Sequence, residues 1–244
     1  MAHAVVHFEI GGPDAAALTK FYGELFGWKI DANNPMNYPI VFGMEGGIGG
    51  GLPQTQDGKP SVTVYVSVDD IHAALNKAVE LGGSKALDVM DARDGAPTLA
   101  GFLDPDGNFI GLIEPAPGEQ PPPPGGTGDP VTWFEIAGTD SKRTREYYSK
   151  LFGWTIHADN PMEYGEYHGD EGGIGGGIFG GMGDPRVTVY TTVGDLGDKL
   201  KKANALGATT QMEPMAVPGG PTIAMFSDPA GNTFGMILAG TTSG

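Results

Sequence analysis

The chain has 244 residues, enough for one large or two modest domains with cores of their own. Thirty acidic residues stand against 14 basic ones, a formal charge of −16 that repels phosphate backbones and anionic lipid, so neither nucleic acid nor a membrane is an expected partner. There are no cysteines, which excludes a disulfide scaffold and thiol chemistry. The opening "MAHAVVHFEI" lacks the basic and apolar stretches of a signal peptide, and no apolar run reaches a membrane span, so a cytoplasmic protein is the expectation.

In chain order, "VVHFEI" alternates as a short strand, and a Gly-Gly-Pro-Asp turn follows. Ala17, Leu18, Phe21, Tyr22, Leu25 and Phe26 then recur at helical spacing, and Gly27 stops the helix. "NPMNY" (34–38) reads as a turn whose Met and Tyr can cap a cavity mouth, and Gly-rich strand pieces run through "GGIGGG" (46–51). The order restarts at "VTVYVSV" (62–68), with a helix through Ile71, Ala74, Leu75, Ala78 and Val79 and two strands around "DPDG" (104–107). This is β-α-β-β-β written twice.

The whole pattern then repeats. "WFEI" (133–136), "YYSKLFGW" (147–154), "NPMEY" (160–164) and a second "GGIGGG" (172–177) all lie 126 residues after their counterparts. "VTVY" (187–190) and "DPAGN" (228–232) follow at nearly the same offset. The expected organisation is a first domain at 1–114, a Pro/Gly-rich linker at 115–130 and a second domain at 131–244. The linker is long enough for modules to pair within a copy or across copies.

Strand alternation sorts the faces. Val6, Phe8 and Ile10 face a helix, while His7 and Glu9 share the other face. In the same way Thr63 and Tyr65, Trp133 and Glu135, and Thr188 and Tyr190 lie opposite the helix-facing valines and aromatics. A face of aromatics, hydroxyls and a carboxylate suits the wall of a small-molecule cavity; the alternative is a half-buried face satisfied by internal hydrogen bonds. His7 and Glu9 are the candidate catalytic pair, for general acid/base chemistry. Trp133, Glu135, Thr63, Tyr65, Thr188 and Tyr190 are the candidate ligand-binding residues. His3, His72, His157 and His168 have no clustered partner in sequence and read as surface or structural.

Paired βαβββ modules with "FYGELFGW" and a late "DPDGN" turn resemble the vicinal oxygen chelate superfamily, which includes glyoxalases, extradiol dioxygenases and bleomycin-resistance proteins. The resemblance implies an α+β fold of two tandem domains. Each is expected to form a curved mixed sheet around a cleft with helices outside. It also implies metal-ligand positions, which fall at His7, Thr63, Gly49 or Gly50, and Gly111. In the second copy they fall at Trp133, Thr188, Gly175 or Gly176, and Gly235. Trp and Gly side chains cannot coordinate, so no metal and no other cofactor is expected. Glu114 lies on the opposite strand face from Gly111. The glycines of "GGIGGG" are expected to widen the pocket or admit a ligand to the backbone, because they open no helix and so cradle no phosphate.

Three functions follow: a metal-independent acid/base enzyme on a small hydrophobic or aromatic molecule, a small-molecule binding or resistance protein, and a metal-dependent lyase or dioxygenase with displaced ligands. The acid/base enzyme is preferred. A fourth reading is a structural relative whose cavities are filled by its own side chains. Oligomeric state stays open.

Overall fold

The computed structural model describes residues 3–34, 37–91, 97–116, 124–160, 162–170 and 172–241. Part of the expected linker (117–123) and parts of both Asn-Pro loops (35–36 and 161) lie outside them. The described residues form an α+β fold with parallel and antiparallel strand pairs.

The first copy contains β1 (Val5–Gly11), α1 (Ala15–Phe26), β2 (Ile30–Asp31), β3 (Ile40–Val41) and β4 (Gly49–Gly51). It continues with β5 (Ser61–Ser67), α2 (Ile71–Glu80), β6 (Ser84–Met90), β7 (Thr98–Leu103) and β8 (Phe109–Glu114). The second copy contains β9 (Val131–Gly138), α3 (Ser141–Phe152), β10 (Gly165–Tyr167) and β11 (Gly175–Gly180). It ends with β12 (Arg186–Val193), α4 (Leu196–Ala205), β13 (Thr209–Ala216), β14 (Thr222–Ser227) and β15 (Thr233–Leu238). Three modules show the expected βαβββ order. The third reduces its second strand to a single bridge between His157 and Glu166, because the chain turns at once, Asn160 N bonding Ala158 O at 2.9 Å.

The helices start and stop as their sequences dictate. Asp14, Asp70, Asp140 and Asp195 each cap a helix by accepting from a backbone N–H in its first turn. Gly27 (φ 73°) and Gly153 (φ 75°) end α1 and α3 in the left-handed conformation, where a side chain would be strained.

The modules assemble into two compact units, each with one module from either copy. One unit holds Met1–His7, Thr63–Pro122 and Trp133–Val187; the other holds Phe8–Val62, Pro123–Thr132 and Thr188–Gly244. In the first, strands run β5-β8-β7-β6 and β10-β11-β9; in the second, β2-β3-β4-β1 and β12-β15-β14-β13.

The duplicated motifs make the cross-copy core. In the second unit the Tyr22 hydroxyl donates to Asp228 Oδ2 at 2.9 Å, and Trp28 Nε1 donates to Asp129 O at 2.7 Å. Tyr22 stacks on Trp28, and Phe26 packs on Phe226 and Phe234. The first unit repeats the lock: Tyr148 donates to Asp104 Oδ2 at 2.8 Å, and Trp154 Nε1 to His3 O at 2.6 Å. Asn108 bridges Asp104 to Ala137 O, and Asn232 bridges Asp228 to Gly11 O. The Tyr, Trp, Asp and Asn of the repeated motifs are thus structural. Burial, and then the adjacent carboxylate, push the Tyr22 and Tyr148 phenols well above their usual range, so they remain donors.

Candidate functional site

Each copy holds one carboxylate against one tyrosine on the face turned away from the helix. Glu9 on β1 accepts from the Tyr38 hydroxyl at 2.6 Å. Glu135 on β9 accepts from Tyr164 at 2.9 Å, and Tyr164 in turn accepts from Trp133 Nε1 at 3.1 Å. Both carboxylates are half-buried and sit 29 residues before their tyrosine.

The Asn-Pro loops place these phenols. The Asn34 amide donates to Tyr38 O at 2.6 Å and its carbonyl accepts from Tyr38 N at 3.3 Å. Asn160 grips Tyr164 in the same way, at 2.7 and 3.0 Å. The residue before each tyrosine, Asn37 or Glu163, has a positive φ of 51° or 50°, which turns the chain back towards the sheet. Burial chiefly, then Glu135, raise the Tyr164 phenol well above its usual range.

The glycine-rich strands make room for these rings, contrary to the expectation that they widen a pocket. A Cβ on Gly51 would lie 1.9 Å from the Tyr38 hydroxyl, and one on Gly177 would lie 1.8 Å from that of Tyr164. On the helix-facing side, Gly50 and Gly176 receive the Phe8 and Phe134 rings. Gly175 lies beneath the Trp133 indole.

The remaining candidates are spread over both units. His7 and Tyr65 meet edge to face with ring centroids 5.5 Å apart. Burial lowers the His7 pKa to about 4, so its imidazole is neutral at physiological pH. Tyr65 lies flat over Gly111, its register partner, and Tyr190 lies over Gly235. The Thr63 hydroxyl donates to Phe109 O at 2.6 Å, whereas the fully buried Thr188 Oγ1 has no hydrogen-bond partner among the described residues. The Tyr190 hydroxyl contacts Met225 Sδ at 3.9 Å. Glu114 accepts from Ile71 N at 2.8 Å and serves the start of α2.

Two of the superfamily's metal positions are glycines covered by tyrosine rings. At Gly111 and Gly235 a Cβ would fall 2.2 and 2.1 Å from the Tyr65 and Tyr190 rings, so tyrosines fill the space a ligand side chain would need. Among the described residues no group of three or more His, Asp or Glu side chains is arranged to hold a metal. No described helix is long and apolar enough to cross a membrane.

Duplicated βαβββ modules with a polar-aromatic sheet face define a tandem-repeat α+β scaffold. The chain belongs to the glyoxalase/bleomycin resistance protein/dioxygenase superfamily: a glyoxalase-like domain model matches residues 7–113, and the superfamily's own model matches 131–236. It is 27% identical to "Putative glyoxylase CFP32" of Mycobacterium tuberculosis, over 92% of this chain and 90% of that one. It is 25% identical to anthracycline biosynthesis protein DauV of Streptomyces sp. strain C5, covering 94% and 91%. Among solved structures, homoprotocatechuate 2,3-dioxygenase from Arthrobacter globiformis superposes with a TM-score of 0.70 at 16% identity, covering 97% of this chain and 80% of that one. The Mn(II)-bound glyoxalase from Novosphingobium aromaticivorans superposes at 0.63 and 15% identity, covering 97% and 82%. At such identities the structural likeness concerns the fold.

Tyr38 and Tyr164 are the site residues that sequence reasoning placed only at a cavity mouth. The 29-residue spacing from glutamate to tyrosine, the same in both copies, was the available signal.

Proposed function

We propose that the chain binds a small, planar, aromatic molecule, with the Glu9–Tyr38 and Glu135–Tyr164 pairs as polar anchors and without a metal at the superfamily positions. The carrying observation is that both copies build the same carboxylate–phenol pair although their other facing residues differ, His7 standing where the second copy has Trp133. A hydroxylated ligand can donate to the carboxylate, which the phenol holds in place. The half-buried Trp133 indole suits a flat partner. The likeness to an anthracycline biosynthesis protein supports a ligand of that chemistry.

The test is a fluorescence titration with polyhydroxylated anthraquinones in the presence of a chelator. Saturable binding is expected, weakened by about 1–3 kcal/mol in Tyr164→Phe or Glu135→Gln. Absence of binding across a panel of planar aromatics overturns the reading.

Acid/base catalysis on the bound molecule is the second reading, in which the His7 imidazole, uncharged because burial lowers its pKa to about 4, accepts a proton as a weak base. A bound compound that is turned over by the wild type and not by His7→Gln would support it. Equal turnover by both would remove His7 from the chemistry.

A further inference from the structure

The structure assigns a zinc-class cation site to His157 and His168, two histidines outside the carboxylate–tyrosine pairs. Their rings lie 5.4 Å apart, centroid to centroid, with planes inclined by 33°. Two imidazoles sharing one tetrahedral zinc, at about 2.0–2.1 Å from each nitrogen, place their centroids roughly 5 Å apart. The pair is therefore already spaced for a shared ion.

The backbone fixes this spacing. His157 and Glu166 exchange hydrogen bonds, His157 N to Glu166 O at 2.9 Å and Glu166 N to His157 O at 2.7 Å. His168 is two residues beyond Glu166, so it returns to the same face and reaches His157 diagonally. Glu166, the half-buried register partner of His157, does not complete a three-ligand group, so the two imidazoles are the protein's share of the coordination. Both histidines are exposed, so an ion can enter and the other coordination positions stay with water. Imidazole suits zinc, copper and nickel, and the strongly acidic chain favours a cation.

The feature is particular to the second copy. At the matching positions the first copy has Asp31, Ile40 and Phe42, and there Lys29 Nζ stands 4.5 Å over the Phe42 ring. One repeat covers its aromatic ring with the lysine directly across the strand pair; the other offers two metal-binding nitrogens. The site does not depend on the proposed ligand; His168 stands beside Gly175, whose Cβ would lie 3.3 Å from the His168 carbonyl carbon, so the pair neighbours one of the second copy's superfamily metal positions without using it.

The experiment is calorimetric titration of the chelator-treated full chain with Zn2+, alongside NMR of the histidine ring nitrogens. One Zn2+ per chain is expected, with the ring signals of His157 and His168 shifting together. His157→Ala and His168→Ala should each weaken binding at least about tenfold, while His72→Ala, an exposed helix position, leaves it unchanged. No saturable binding by the wild type overturns the assignment. So does binding that both alanine variants retain, or ring signals of the pair that do not respond to zinc.

Discussion

At the residue scale, the same chemical pair does two jobs in this chain. Tyr22–Asp228 and Tyr148–Asp104 are buried locks that join helix to turn. Tyr38–Glu9 and Tyr164–Glu135 sit half-buried on the opposite sheet face. Burial separates the roles, and burial also sets the behaviour of His7. Its folded pKa of about 4 is below the ordinary histidine value of 6.5 that holds in the unfolded chain, so between these limits the unfolded chain binds the extra proton. Stability therefore rises with pH through this window. The His7 contribution is complete above about pH 6.5 and is lost as pH falls towards 4. Urea unfolding of the wild type between pH 7 and about 4.5 should show this loss, with a slope approaching one proton, and His7→Gln should flatten it by that amount. An unchanged slope in the variant would assign the pH dependence elsewhere.

At the scale of elements, the helices were legible because their signals are local. An aspartate caps each start, apolar residues recur at helical spacing, and a left-handed glycine closes α1 and α3. The loops were not, because the position of Tyr38 or Tyr164 depends on strands distant in sequence. "GGIGGG" showed the absence of side chains but not what occupies the space. A double-variant cycle tests the occupancy. Gly177→Ala alone forces a Cβ into the Tyr164 hydroxyl, and overpacking of this kind costs about 1–3 kcal/mol. Tyr164→Ala alone loses the phenol and its bond to Glu135. In the double variant the clash has no partner, so the glycine substitution should cost much less there than in the wild type. Chemical denaturation of the four proteins reads the coupling directly. Additive costs would mean that ring and glycine do not meet.

At the scale of the whole molecule, the duplication was plain from the constant offset, but the pairing of modules was not. Both copies carry the same lock, so Tyr22 has an equivalent aspartate in either "DPxGN" turn, and sequence symmetry cannot choose between them. The structure chooses Asp228 for Tyr22 and Asp104 for Tyr148. The third position of each turn supplies a reason. In "DPDG", Asp106 forms an ion pair with Arg143 and accepts from Thr139 N at 3.1 Å and Thr139 Oγ1 at 2.6 Å. In "DPAG", Ala230 packs so near Gly12 that a Cβ there would lie 2.9 Å from its methyl, with Leu18 beside it. Exchanging the turns would set a carboxylate against Gly12 and Leu18 and would leave Arg143 facing a methyl group, a loss of charge pairing on one side and a desolvated charge on the other. If residues 1–116 and 124–244 are produced separately, each half therefore exposes a Tyr-Trp helix and a "DPxGN" turn that need a counterpart. Either half alone should self-associate or remain poorly folded. Mixed in equal amounts, the two should form a one-to-one complex in preference to either homodimer, as native mass spectrometry can resolve. Asp106→Ala should narrow that preference by removing the charge pairing of the correct arrangement. Two separately folded monomers that ignore each other would refute the cross-copy lock.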